Sequence, residues 1–330
     1  MLPRLRGRYG LAVAIALLGL VPNVTLQTST FALGGLVSAD LGASATAVQV
    51  VGGLGSAAYA VGAVTAAQLA QRYGQRRLFL GYGLVFVAAS VVTASAPGIA
   101  LFSVGRVVEG LAAGAMLISA LPPLVARFPA SRLPLTAVVV NVGIFGASTL
   151  GPIVGGYAAA AGSWRALFVA SAALGALGWI VALVGYADID PADPEGTVDR
   201  AALALTVVAT VATFVGTALL TGAAASSPTV WIPIAVGLAA LVALLWWEDR
   251  HEGSLIPVRA LSTQLPVTGI VVASIGGAVF VAAVDLLQQV LADGGAAPEE
   301  IAALCWPMPV GVVVGAVAFG VVPGPLRRRR

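Results

Sequence analysis

Long apolar runs separated by short polar turns dominate the chain, and ten of them approach or exceed the roughly 20 residues that cross a bilayer as a helix. They fall at 11–37, 48–69, 78–96, 97–125, 135–160, 164–186, 201–220, 230–247, 267–290 and 301–322. Lipid offers no partner for backbone N–H and C=O groups, so runs of this length predict transmembrane α-helices. The expected fold class is an all-α polytopic membrane protein.

Polar and small residues inside these runs carry the rest of the pattern. In span 5, Gly143, Ala147, Gly151 and Gly155 recur every fourth position and share one helix face. A neighbouring backbone approaches such a face closely, which is how helices associate in lipid. The stripe ends in Gly151-Pro152-Ile153-Val154-Gly155-Gly156, and Pro152 predicts a bend there. A moving interface between two bundles and a static packing face both fit the glycines. Span 1 is polar at its centre, with Asn23, Thr25, Gln27, Thr28, Ser29 and Thr30. Such side chains line a cavity or bond back to their own helix, and the first is expected here. Span 4 holds Arg106 and Glu109 more than one turn inside its apolar segment, on one face at i,i+3. Charges at that depth are expensive and mark a functional site by default, the alternative being a self-neutralising structural pair. Span 9 carries Asp285, Gln288 and Gln289 near its far end.

Composition sharpens the class. The chain is 59% hydrophobic and 9% charged with a mean hydropathy of +0.99, whereas soluble domains carry about 25% charged residues. Its 17 basic residues are all arginine. Cys305 is the one cysteine, so no intrachain disulfide forms, and His251 is the one histidine. No Cys/His cluster, phosphate-cradling loop or activated nucleophile stands out. No metal, no cofactor, no nucleic-acid partner and no enzymatic activity are expected. The loop arginines are asymmetric. With the N-terminus in the cytoplasm, Arg4, Arg6, Arg8, Arg72, Arg76, Arg77, Arg127, Arg132, Arg200, Arg250, Arg259 and Arg327 to Arg330 are all cytoplasmic. Only Arg165 falls outside, which supports ten spans in the cell membrane with both termini inside.

With the loops placed, the chain resembles the major facilitator superfamily, and within it the fourteen-span drug–proton antiporters of the EmrB/QacA type. Ala67 to Arg77, including Gln71, Arg72, Gly74, Arg76 and Arg77, is similar to the gating loop G-x-L-A-D-R-x-G-R-R between spans 2 and 3. Arg106-Val107-Val108-Glu109-Gly110 is similar to R-x-x-Q-G, Gly151 to Gly156 to the antiporter motif G-P-x-x-G-G, and Trp164-Arg165 with Phe168 to W-R-x-x-F. Ala32-Leu33 with Asp40 to Ser44 resembles the end of span 1, and Leu255-Ile256-Pro257 and Gln288 to Leu291 resemble the stretches flanking span 9. The resemblance implies two six-helix bundles of inverted repeats with a substrate site between them. It divides the chain into a six-helix bundle at 1–187, an acidic cytoplasmic linker at 188–200, an extra helix pair at 201–254, and the first two helices of an incomplete second bundle at 255–330. Four further spans are then expected, so the chain reads as truncated, or as completed by a second chain or an oligomer. Two departures stand out: Gln71 replaces the aspartate of the gating loop, and Thr25 replaces a span 1 aspartate.

The function so implied is proton-coupled multidrug efflux, a transmembrane transport of small lipophilic molecules. Glu109, tuned by Arg106, is the candidate proton carrier, with Asp285 the other acid within a span. Thr25, Gln27, Tyr59 and Asn141 are the candidate cavity. The alternatives are a neutral-solute transporter without proton coupling and a non-transporting remnant or partner subunit.

Overall fold

Every apolar run is a helix in the computed structural model, which describes residues 8–187, 191, 193–195, 198–220, 226–251 and 264–321. Arg4, Arg6, Asp188, Asp190, Leu255-Ile256-Pro257, Arg259 and Arg327 to Arg330 lie outside the described residues. Ten helical segments are long and apolar enough to cross a membrane, and they coincide with the ten predicted runs.

The first run is two helices, α1 (Tyr9–Thr28) and α2 (Thr30–Asp40), divided at Ser29. The cause is its hydroxyl cluster. Thr28 Oγ1 donates to the Val24 carbonyl at 3.0 Å, Ser29 Oγ to that of Leu26 at 2.8 Å, and Thr30 Oγ1 to that of Gln27 at 2.8 Å. Such back-bonding competes with the helical ladder. All three hydroxyls thus bond back within span 1, and Thr30 also borders a small cavity. Next, α3 (Ala45–Tyr73) starts on Ser44, whose side chain accepts from the Ala47 N–H at 3.1 Å. It ends on Gly74, whose φ of 81° lets the chain turn at once into α4 (Gln75–Ala94). Span 4 comprises α5 (Ile99–Ala120) and α6 (Pro122–Ala126).

Span 5 runs as α7 (Leu133–Asn141), a π-turn over Val142–Gly146, and α8 (Ala147–Ala160). The irregularity thus lies upstream of Pro152, where Gly143 and Gly146 sit, and α8 continues as α-helix through the proline. Then come α9 (Trp164–Gly185), α10 (Arg200–Leu219) and α11 (Pro228–Arg250). The tenth run follows α12 (Gln264–Asp293) and divides at Pro307 into α13 (Pro298–Cys305) and α14 (Pro307–Val321).

The first six spans pack around α5, with α3 and α4 against its sides and α1 against α8 and α9. Glycine sets the α3–α5 distance. A Cβ on Gly62 would lie 2.0 Å from the Leu111 carbonyl oxygen, one on Gly110 2.2 Å from that of Gly55, and one on Gly114 1.9 Å from that of Tyr59. Ile15, Phe79, Phe86, Met116 and Tyr186 fill one end of the bundle. Leu26, Leu33, Phe102, Trp164 and Phe168 fill the other. The hairpin α10–α11 leans on α3, where a Cβ on Gly53 would meet the Phe214 carbonyl at 3.0 Å. Against α8 pack α13 and, more lightly, α14, whereas α12 is bare along most of its length.

Candidate functional site

Two features stand out in the membrane interior. The first is the charged pair on α5. Arg106 Nη1 donates to Glu109 Oε2, and Ser90 Oγ of α4 donates to Glu109 Oε1 at 2.5 Å. Exposure is 4% for Arg106 and 0% for Glu109, so both charges have left water and each stabilises the other. Gly105 and Gly110 flank them, and α4 and α3 close over these glycines at Thr93 and Gly55. The Arg106 guanidinium also lies over Phe168 of α9, 5.5 Å from the ring centre. Beside it is a small cavity of about 20 Å³ that Thr30, Gly34, Phe102 and Phe168 share with Arg106.

The second feature is a groove between the first bundle and the last helices. A cavity of about 520 Å³ lies among α1, span 5 and α14, lined by Val13, Leu17, Val142, Gly146 and Val313. A second, of about 370 Å³, uses the adjacent face of the same π-turn, with Asn141 and Phe145 facing Phe280, Gly311 and Gly315. Phe145 and Phe280 meet edge to face with centroids 5.5 Å apart. Asn141 Nδ2 donates to the Ala137 carbonyl at 2.8 Å. Among the described residues no charged side chain lines either cavity.

The residues expected to form one cavity are dispersed. Thr25 Oγ1 donates to the Ala147 carbonyl at 3.3 Å and ties α1 to α8. Gln27 is half-buried, and its Nε2 meets no hydrogen-bond partner among the described residues. Tyr59 packs on the core beside Phe79 and Met116. Asn141 alone of the four reaches the groove. Asp285 is exposed on α12, which packs on neither α5 nor α4, so it does not join Glu109.

The stripe of span 5 turns inward. A Cβ on Gly151 would meet Thr28 Oγ1 at 2.0 Å, and one on Gly155 would meet Ser29 at 2.8 Å. Gly143 faces Leu17. The stripe therefore packs on α1 and α2 within the first bundle. Gly156, one position and about 100° further round the helix, is the glycine that admits α13, at the Pro298 carbonyl. At the membrane end, Asp193 N–H donates to the Gln71 carbonyl at 3.0 Å, and Arg76 Nη2 to that of Leu183 at 3.3 Å. The guanidinium of Arg72 lies over Tyr73. The linker and α9 thus both bear on the α3–α4 turn that carries Arg72, Gly74, Arg76 and Arg77.

Sequence reasoning named Asp40, Trp164 and Arg165 without pairing them. Trp164 Nε1 donates to Asp40 Oδ2 at 2.9 Å, and Arg165 Nη1 donates to the same oxygen. Arg165 Nη2 donates to the Ala96 carbonyl at 3.0 Å, tying α2, α9 and the end of α4 together. The guanidinium and the indole N–H hold the Asp40 carboxyl below its ordinary 3.8. A depressed carboxylate adds stability above its unfolded pKa and loses it as pH falls through the folded one. Melting temperature therefore drops below about pH 4 in the native protein, and Asp40→Asn flattens that part of a pH series while lowering stability at pH 7.

The described residues thus form a polytopic helical protein with a large apolar groove between packed helices. The chain belongs to the Major Facilitator Superfamily, whose family model matches residues 13–330. It is 28% identical over 313 residues to the uncharacterized MFS-type transporter YubD of Bacillus subtilis (strain 168), covering 94% of this chain and 61% of that protein. It is 32% identical over 191 residues to the drug efflux pump JefA of Mycobacterium tuberculosis (strain ATCC 25618 / H37Rv), covering 57% of this chain and 37% of that one. It is 35% identical over 193 residues to the tetracenomycin C resistance and export protein of Streptomyces glaucescens, covering 56% and 34%. The chain therefore spans less than two thirds of these relatives. Among solved structures, the human organic anion transporter MFSD10 (TETRAN) aligns with a TM-score of 0.48 at 16% identity, over 95% of this chain and 86% of that one.

Proposed function

We propose that the protein exports small, mostly lipophilic compounds across the cell membrane in exchange for protons, by alternating access, as a member of the fourteen-span drug–proton antiporter branch. The observation that carries this reading is the groove of about 520 Å³, walled by apolar side chains of α1, the π-turn and α14. Its size and lining suit a drug-sized molecule. Asn141 gives the adjoining cavity one polar contact, and Phe145 and Phe280 give it aromatic edges. The relatives named as a drug efflux pump and an export protein support the same direction of transport. In this reading both termini are cytoplasmic, residues 1–187 form the first bundle, and α12 to α14 belong to a second that further spans or a second chain complete. Glu109 carries the proton and Arg106 sets its affinity, each proton contributing about 2.3 kcal/mol per 100 mV.

A second reading, neutral-solute transport without proton coupling, draws on the absence of acids from the groove among the described residues. Efflux of a lipophilic dye from cells tests the proposal. A Cβ on Gly311 meets nothing within 4 Å, so Gly311→Leu fills the cavity without disturbing the fold. Efflux is expected to fall about tenfold or more at wild-type protein levels. Sensitivity to an uncoupler, lost in Glu109→Gln, is the result expected of coupling. Uncoupler-insensitive efflux by the native protein would leave the second reading standing.

A further inference from the structure

We propose that the first bundle holds a file of bound waters along Asn23, Gln27 and Thr30, opening at the cavity beside Arg106 and giving protons their route to Glu109. The role assigned to this route rests on Glu109 as the coupling group, whereas the hydration does not.

Asn23 is 1% exposed, and neither its Nδ2 nor its Oδ1 meets a hydrogen-bond partner among the described residues. The same holds for Gln27 Nε2 and for Ser171 Oγ on α9. Buried amides of folded proteins are bonded to protein or to ordered water. In lipid the demand is stricter, because bulk solvent is out of reach. Asn23 and Gln27 stand at i and i+4, one above the other on one face of α1, and Thr30 opens α2 just past the division at Ser29. Antiparallel packing sets what they face. Leu11 packs on Gly185 and Leu18 on Gly178, and continuing that register brings Ser171 opposite the stretch from Asn23 to Gln27. On the α5 side, Gly19 meets Met116 while Leu26 and Thr30 share a cavity with Arg106. Glu109 is therefore level with the same stretch. Unpartnered amide and hydroxyl groups and a buried carboxylate thus meet at one depth.

The cavity of about 20 Å³ has room for a water molecule. Its walls run through Gly34 and Val37 of α2, toward the end where Asp40 pairs with Arg165. That end supplies the entrance. A hydronium arriving along the file transfers its proton to a carboxylate oxygen of Glu109. A water and a neutral carboxylic acid result, and Arg106 keeps its charge.

Hydroxyl-radical footprinting of the full chain in lipid nanodiscs, with radicals generated by an X-ray pulse, reads bound water directly. Leu26 and Phe168, at 5% and 4% exposure, line the cavity. Phe86 and Ile153, both at 1%, are packed elsewhere. Leu26 and Phe168 are expected to be oxidised several-fold faster than Phe86 and Ile153. Asn23→Leu is expected to suppress that difference, and Asn23→Ser to keep it. Equal, slow oxidation of all four side chains in the native protein overturns the proposal, whether or not either variant folds. Fast labelling of Leu26 and Phe168 together with uncoupler-insensitive efflux leaves the hydration in place and removes Glu109 coupling instead.

Discussion

Gly114→Leu is expected to cut the folded-to-unfolded ratio by about a hundredfold or more. The Cβ alone would lie 1.9 Å from the Tyr59 carbonyl oxygen and 3.0 Å from the Ala63 nitrogen. Both are backbone atoms, so no rotamer change relieves the clash and α3 must move off α5 as a unit. Gly62 and Gly110 bring the same two helices as close at their own levels, so the displacement breaks those contacts too. Overpacking a core costs about 1–3 kcal/mol where side chains can shift. With backbone on the far side the upper value is a floor, about a hundredfold in the folded ratio, against a total of about 5–15 kcal/mol for a typical protein. Size-exclusion of detergent extracts checks this, with Gly276→Leu on α12 as control, since a Cβ there meets nothing within 4 Å. A native-like peak for Gly114→Leu would mean that the α3–α5 crossing is not the keystone of the bundle.

Removing Glu109 should cost more than removing Arg106. Glu109→Leu leaves a guanidinium that stays charged at any accessible pH, buried at 4% exposure over Phe168. Breaking a buried pair this way costs about 3–5 kcal/mol. Arg106→Leu leaves a carboxyl that can take a proton and keep its bond with Ser90, so its penalty is smaller. The double substitution Arg106→Leu/Glu109→Leu should recover much of the loss, because apolar replacements of buried pairs are often neutral. Melting temperatures of the four proteins give the cycle directly. Equal losses in both single variants, with no recovery in the double, would show that the pair is not a closed electrostatic unit.

The ten spans were legible because hydropathy over about 20 residues is a local property, and Arg106 with Glu109 because i,i+3 is too. What the sequence hid was rotation and distance. A threonine hydroxyl bonds its own helix, a neighbour or water equally well, and the rotation of α1 against α8 is what sends Thr25 to Ala147. The stripe of span 5 announced a close approach but could not say to which helix. Asp40 and Arg165 stand 125 residues apart, and nothing local links them. The π-turn was invisible because a single extra residue in one turn barely alters a hydrophobic pattern. Asn23, the first amide of span 1, reads in the sequence only as polar. Its burial without a partner is a property of the packed bundle.

That π-turn has a mechanical meaning. It holds one residue more than the α-turn it replaces, so α7 and α8 are out of phase by about 100°. Gly151 and Gly155 clamp α8 onto α1 and α2, while α7 is held by the Tyr9–Thr136 hydrogen bond and by α14. If the turn tightened to α-helical spacing, Asn141 would swing by that angle out of the groove while the clamped half stayed still. A single inserted residue therefore decides which side chains of α7 border the groove while α8 keeps its glycines on α1.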